Sequence, residues 1–273
     1  MADAVVFKTL PDVRKYIEHA AAELDRQSRY VPELLRVLDA ARDIPDFERL
    51  MNDGCRGQRH AGADVFAKMS LREKVLANLI TPETTLFRFT EGELEALDRE
   101  IVPRLQGRKA RLLIVPCSLG DEAFTAAAFL LKRGIDFEIH AFDIQPALIE
   151  SARSGRLSFG FPLEYLDPPG KVAPALLQKI RFEVGNAFAL PLQEGVKPFD
   201  VVLCRNFIGY FTPEKAQRLV ERLASRVAPG GALFLDSFCL DKFPELHKPL
   251  TARRAVRVGH RPVYLFPQHL EQP

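Results

Sequence analysis

Arg111-Leu-Leu-Ile-Val-Pro-Cys-Ser-Leu-Gly120-Asp121-Glu122 is the stretch whose reading decides the fold. Leu112 to Val115 is an unbroken apolar run, the mark of a strand covered on both faces, as in parallel sheets. Pro116 stops it, and Gly120 supplies a backbone position free of side-chain sterics. Residues 122–132, Glu-Ala-Phe-Thr-Ala-Ala-Ala-Phe-Leu-Leu-Lys, are rich in helix formers, so the unit reads strand, tight turn, helix. In open α/β sheets, ligands sit at the carboxyl ends of such strands. The turn holds one glycine where a dinucleotide fingerprint has three, which argues against a loop built for close backbone approach to a pyrophosphate.

The next unit repeats the pattern. Gly134 ends the helix, and residues 137–142 read as a second strand finishing at Asp143. An acid roughly 20 residues past such a turn is where a ribose-binding carboxylate belongs, able to accept hydrogen bonds from both hydroxyls. A plain turn aspartate is the alternative reading. Residues 146–153 should form a helix, and residues 159–174, with Pro162, Pro168, Pro169 and Pro174, an irregular connection. Residues 180–186 read as a third strand ending in Asn186, and residues 199–204 as a fourth followed by Arg205-Asn206. Thr212-Pro213 opens a helix to about Val227, stopped by Pro229-Gly230-Gly231 before a fifth strand at 232–236. Residues 255–258 and 262–266 close the sheet as a hairpin. The sum is a seven-stranded doubly wound α/β sheet.

Before it, residues 1–80 read as a helical domain, with residues 81–273 as the ligand-binding domain. Amphipathic segments occupy 11–24 and 31–42, and Ser70 with Glu73 forms a capping box opening a helix to Ile80. The polar, glycine-rich 52–62 is a loop, so Cys55 and His60 read as loop residues and no metal site is expected. A stiff linker from Thr81 to Arg88 leads into a second capping box, Thr90 with Glu93, and a helix through Ile101.

With 273 residues and 47% apolar content, the chain can build a substantial core. Net charge is +2, from 38 basic and 36 acidic residues, so no overall field recommends nucleic acid as a partner. Cys55, Cys117, Cys204 and Cys239 are widely spaced with no C-x-x-C, which reads as free thiols in a reducing compartment. No basic-then-apolar leader and no apolar run of about 20 residues is present, so a cytoplasmic protein without a membrane span is expected.

Four motifs stand in order: Thr84-Thr-Leu-Phe-Arg88 before the sheet, Cys117-Ser-Leu-Gly-Asp-Glu122 at the first turn, Ala141-Phe-Asp143-Ile after the second strand, and Phe199-Asp-Val-Val-Leu-Cys-Arg-Asn-Phe-Ile-Gly-Tyr-Phe211. With them the chain, from about Ser70 to Phe266, resembles the S-adenosylmethionine-dependent methyltransferases of the chemotaxis receptor (CheR) family. The resemblance implies a Rossmann-like class I methyltransferase sheet, S-adenosyl-L-methionine as cofactor and S-adenosyl-L-homocysteine as product. It implies that Asp143 holds the ribose, that Asp121 stands near the methionine part, and that Asn186 with Ala187 borders the adenine. Cys117, Gly120, Cys204 and Arg205 join the cofactor-binding set, and Thr84 and Arg88 close the site from the linker. Arg88 and Tyr210 are the implied catalytic pair, with Tyr210 facing the transferred methyl group. The implied acceptor is a glutamate carboxylate of a protein, a chemoreceptor or another signalling partner.

Such a carboxylate, with a pKa of about 4.3, is ionised at neutral pH, so transfer needs alignment and desolvation but no general base. The chain departs from the family where Pro82 replaces asparagine, Leu86 a phenylalanine and Asp121 a glutamate. The family's small β-subdomain for docking a receptor tail has too little room between Gly155 and Phe182, which leaves the N-terminal helices either as the surface for acceptor choice or, equally, as plain packing on the sheet. Each residue has a plain alternative: Arg205 as a cap on neighbouring carbonyls, Tyr210 as a packed aromatic, Asn186 as a turn former. Two other functions stay open, a methyltransferase of this fold with a different acceptor and a cofactor-binding signalling module without turnover.

Overall fold

The computed structural model describes residues 6–22, 24, 30–53, 63–80, 91–157, 171–190, 197–235, 243–259 and 262–268. Thr84, Arg88, Pro82, Leu86, Cys55, His60, Cys239 and most of the proline-rich 159–174 lie outside them. Strands β1 (Ala110–Ile114), β2 (Phe137–Asp143), β3 (Ile180–Val184), β4 (Phe199–Leu203), β5 (Val227–Phe234), β6 (Val256–Arg257) and β7 (Val263–Leu265) form one seven-stranded sheet. Its order is β3-β2-β1-β4-β5-β7-β6, with β1 to β5 parallel and the closing pair antiparallel. The expected doubly wound sheet is therefore the one that forms. The chain winds outward from β1 through β2 to β3, then returns to lay β4 on the other side of β1. This reversal opens a crevice above the carboxyl ends of β1 and β4.

Helices cover both faces. In chain order they are α1 (Leu10–Ala22), α2 (Tyr30–Ala40), α3 (Ile44–Asn52), α4 (Ala63–Lys68), α5 (Leu71–Leu79), α6 (Glu91–Ala96), α7 (Val102–Leu105), α8 (Asp121–Lys132), α9 (Pro146–Arg153), α10 (Pro174–Leu177), α11 (Pro213–Ala224) and α12 (His247–Ala252). A π-helical turn, Leu97–Ile101, joins α6 to α7. Because successive strand residues point to opposite faces, β1 sorts its side chains between two cores. Leu113 and the following Val115 pack with Val13 and Ile17 of α1, Leu34 of α2, Phe47 of α3 and Leu219 of α11. Leu112 and Ile114 pack with Phe124 of α8, Ile149 of α9 and Leu105 of α7. The first helices thus share one continuous apolar cluster with this face of the sheet.

A polar stitch reinforces that contact. Ser70 and Glu73 form the expected capping box on α5, with the Ser70 N–H donating to Glu73 Oε2 at 2.8 Å. The other oxygen of Glu73 accepts the N–H of Ala147 at 2.9 Å, in the first turn of α9. One carboxylate therefore serves two helix starts, where orphan N–H groups and the helix dipole both favour negative charge.

Local readings differ from the structure in the helices α3, α4, α10 and α12, which were not foreseen, and in the start of β5. Helix α3 was missed although Asp43 accepts the N–H of Asp46 at 2.8 Å and Pro45 opens the first turn, a regular start signal in a short segment. Helix α11 stops at Ala224, and β5 begins at Val227, so Pro229-Gly230-Gly231 lies inside the strand rather than ahead of it. Pairing with β4 shifts register between Phe199 and Val201, and Gly230 takes φ +74°. A Cβ on Gly231 would stand 2.7 Å from the carbonyl oxygen of Asp200, so the glycines permit a bulge and a close backbone approach. Among the described residues, no helix is long and apolar enough to cross a membrane.

Phe47 is fully buried in the cluster that the first helices share with the sheet. Phe47→Ala is expected to cost about 3–5 kcal/mol. Urea unfolding followed by far-ultraviolet circular dichroism and by tyrosine fluorescence should show one shared, lowered midpoint, because helices and sheet use the same core.

Candidate active site

The crevice at the switch between β1 and β4 holds a cavity of about 360 Å³, in the range that takes small molecules. Its floor comes from the turns after β1, β2, β3 and β4. Its far wall comes from the N-terminal helices, through Tyr16 and His19 of α1 and Arg72 and Leu76 of α5. Arg72 Nε donates to the Tyr16 hydroxyl at 3.2 Å, so these two helices meet over the site. A backbone bridge between Leu24 and Phe211 ties the end of α1 to the turn that follows β4.

Asp143 ends β2 and borders the cavity while only 5% exposed. Its Oδ2 accepts the N–H of Ser118 and its Oδ1 the N–H of Gln145, each at 3.0 Å. Burial pushes its carboxyl up to about 6, against the pull of those N–H donors, and the negative charge of Glu73 adds to the rise.

Gly120 sits at φ +92° and caps α8, with its N–H donating to the Cys117 carbonyl at 2.9 Å. This left-handed corner lets the chain leave β1 and start the helix at once, which brings Asp121 to the cavity wall, nearly fully buried. Gly120 is absent from the cavity lining and acts through the turn.

Arg205, at the end of β4, is 9% exposed and lies between two carboxylates. Its Nη1 donates to Glu122 of α8 at 3.0 Å, and its Nη2 reaches both oxygens of Glu93 of α6 at 3.2 and 3.3 Å. Read from the sequence as a cofactor-binding residue, with a cap on carbonyls as the alternative, Arg205 borders the cavity and forms an ionic bolt across three elements. Glu93, read as half of a capping box whose Thr90 lies outside the described residues, is one of its anchors.

Asn186 and Ala187 line the cavity, and Asn186 Oδ1 accepts the N–H of Phe188 at 2.9 Å, a turn-forming bond that leaves its amide NH₂ group for other partners. Cys117 also lines it, its thiol pushed well up by burial, so it is not a nucleophile here. Cys204 is fully buried beneath the site in the sheet core and does not reach the lining. Tyr210 lies in the short turn Ile208–Tyr210, half-buried against the core and likewise off the lining. Arg88 and Thr84 fall outside the described residues.

Several lining residues escaped the sequence reading. Ser118 and Gln145 flank Asp143, Tyr16 and Arg72 come from the helical region, and Lys215 of α11 holds its ammonium 4.8 Å from the ring centre of Phe188, with burial pulling its pKa down. Only Gln145 carried a signal, its position just past the strand-end acid.

The cofactor implied by the resemblance can be tested against this donor set. A nucleoside offers a vicinal diol that needs acceptors, an apolar base, and a charged tail. Asp143 supplies the acceptor, the 40% exposed side chain of Ile144 and the ring of Phe188 supply apolar surface, and Asp121 supplies a charge complementary to an amino group. Ser118 Oγ and Gln145 Oε1 are buried and without a hydrogen-bond partner among the described residues, as atoms awaiting a polar ligand would be. The residues present fit the group.

Removing the cation of the ionic bolt should be severe, because Glu93 and Glu122 would keep their burial and lose their partner. Arg205→Met is expected to lose roughly 3–5 kcal/mol of stability at neutral pH, read as a lowered urea midpoint.

Comparison with known proteins bears on the span that holds this cavity floor. The family model described as CheR methyltransferase, SAM binding domain, matches residues 83–238, a span that runs from the linker past β5 and takes in each of the four motifs. The probable biofilm formation methyltransferase WspC of Pseudomonas aeruginosa is 33% identical over 180 residues, which are 60% of this chain and 43% of that protein. Chemotaxis protein methyltransferase 1 of the same organism is 30% identical over 203 residues, 64% of this chain and 72% of that one. The matched region is thus less than half the length of WspC. A solved O-methyltransferase family protein from Burkholderia thailandensis aligns with 96% of this chain and 72% of its own at 12% identity, with a TM-score of 0.48. With the family match covering more than half of its length and every element of the described cavity floor, this chain belongs to the CheR methyltransferase family, in its S-adenosylmethionine-binding domain.

Proposed function

We propose that this chain binds S-adenosylmethionine in the cavity over β1, β2 and β4 and transfers its methyl group to a glutamate carboxylate of a protein acceptor in a chemotaxis-like signalling system. The observation that carries the reading is Asp143, a buried carboxylate at the tip of β2 that borders a cavity sized for a nucleoside. The names of the relatives, chemotaxis and biofilm methyltransferases, support the signalling context. Bound there, the cofactor supplies a methyl group already activated on a sulfonium.

The chain's own residues do the rest. Asp143 takes the ribose hydroxyls, Asn186 and Ala187 border the adenine, and Asp121 meets the amino group of the methionine part. Arg205, fixed by Glu93 and Glu122, holds α6 and α8 against the end of β4 and so keeps the cavity floor rigid. Cys117, Gly120 and Cys204 shape the turns. Thr84 and Arg88 close the site, and Arg88 with Tyr210 orients the acceptor carboxylate by donating to it without neutralising it. The far wall from α1 and α5 excludes water and gives the N-terminal residues a part in acceptor choice, the acceptor being a chemoreceptor or another signalling protein. Buried free thiols at Cys117 and Cys204 support work in the reducing cytoplasm.

A second reading, cofactor binding without turnover, is favoured by one observation, the placement of Tyr210 off the cavity lining. Labelled methyl transfer into a lysate of the source cells separates the two. Transfer should yield label released by mild base, as an ester is, and Tyr210→Phe should depress transfer more than S-adenosylhomocysteine binding. Full binding with no transfer to any protein would leave the second reading standing.

The raised carboxyl of Asp143 sets a pH dependence. Hydroxyl donors favour the ionised form, so the ligand lowers this pKa below about 6 and competes with the proton. Affinity for S-adenosylhomocysteine, measured by calorimetry, should be level above about pH 7 and fall as pH drops through about 6. Asp143→Ala should remove that fall and weaken binding at pH 7.5 by about 1.5–3 kcal/mol, roughly ten- to over a hundredfold.

A further inference from the structure

Asp143 does not stand alone at the tip of β2. The two residues whose backbone N–H groups hold its carboxylate, Ser118 and Gln145, also bring their side chains to the same cavity. Both are left unsatisfied: Ser118 Oγ and Gln145 Oε1 are buried with no hydrogen-bond partner among the described residues. Gln145 as a whole is 5% exposed, so water does not bathe its amide. A buried polar atom without a partner is costly in a native fold, and such atoms cluster where a ligand completes them. The Glu73 carboxylate on α5 is taken up by the N–H groups of Ser70 and Ala147.

We infer that Ser118 and Gln145 are cofactor-binding residues, which together with Asp143 make a three-sided cradle for the ribose diol. The inference rests on the proposed cofactor and extends it to residues outside the implied set. Its stereochemistry is simple. A vicinal diol has two O–H donors and two oxygens that accept. The Asp143 carboxylate can only accept, so it takes one or both hydrogens and leaves the hydroxyl oxygens unfilled. The Ser118 hydroxyl can donate to one of those oxygens. The Gln145 amide serves in either orientation, its carbonyl taking an O–H or its NH₂ giving to a hydroxyl oxygen, so the assignment does not depend on how the amide is turned. Because the same two residues aim the carboxylate through their N–H groups, carboxylate and side chains are set at one fixed spacing.

That arrangement predicts selectivity for an intact 2′,3′-diol, and a cycle of variants and analogues tests it. Calorimetry would compare the full chain with its Gln145→Leu and Ser118→Ala variants, using S-adenosylhomocysteine and its 2′-deoxy and 3′-deoxy analogues as probes. Each substitution should weaken S-adenosylhomocysteine by about two- to tenfold. Against the analogue that lacks the hydroxyl it touches, each should lose less than about twofold, because that contact is already gone. Equal losses against all three ligands would mark a general effect on the turn and overturn the inference, as would no loss at all. If the leucine variant does not fold, Gln145→Met with the same ligands replaces it. Wild-type protein that binds none of the three would instead overturn the cofactor reading itself, an outcome distinct from tight wild-type binding that the variants leave unchanged.

Discussion

The convergence of two backbone N–H groups on the Asp143 carboxylate is the constraint on which the site depends. One donor belongs to the turn after β1 and the other to the start of α9, so a single side chain fixes the relative position of two βα units. The cost is visible in the same residue. Burial raises its pKa although the N–H donors resist, which leaves an ionised group short of solvation until something else shares its charge. A floor built this way is ordered before any ligand arrives, and ordering in advance is what makes a hydrogen bond to the ligand contribute net affinity.

A second constraint acts from the opposite side of the crevice. Arg205, pinned by Glu93 and Glu122, joins β4 to helices that flank the sheet. Nearly buried ion pairs of this sort add little net stability over apolar packing, but they are intolerant of losing one member and they specify geometry. In this chain the geometry specified is the mouth between β1 and β4. Cation and carboxylates hold one another, and since Arg205 and Glu122 also border the cavity, part of its polar lining is fixed by the same contacts that hold the wall.

How far the sequence carried these features depends on the range of the interaction. The continuous apolar run at Leu112–Val115 and the glycine corner at Gly120 encode strand, turn and helix within a dozen positions, and the sheet repeats that local code. Asp143 was legible because its place is set by its own strand. The bulge at Pro229-Gly230-Gly231 was misread because the same residues that stop a helix also permit a kinked strand, and only the partner strand decides between them. The roles of Glu93, Glu73 and Tyr16 were not legible, since each rests on a partner far away in sequence: Arg205, Ala147 and Arg72. Tyr210 shows the reverse limit, a motif residue whose place in the motif did not disclose that it stands off the cavity lining.

The double use of Glu73 carries a consequence for modular exchange. Its two oxygens close the start of α5 and the start of α9 together, so the helical region and the sheet are not separate parts joined by a tether. A chimera that takes its first 80 residues from another methyltransferase would import a foreign surface yet leave the Ala147 N–H facing whatever residue replaced the glutamate. Recombination at this boundary is therefore expected to succeed only when Ser70 and Glu73 travel with the recipient sheet, which places the practical crossover point ahead of α5 rather than at the linker that follows it.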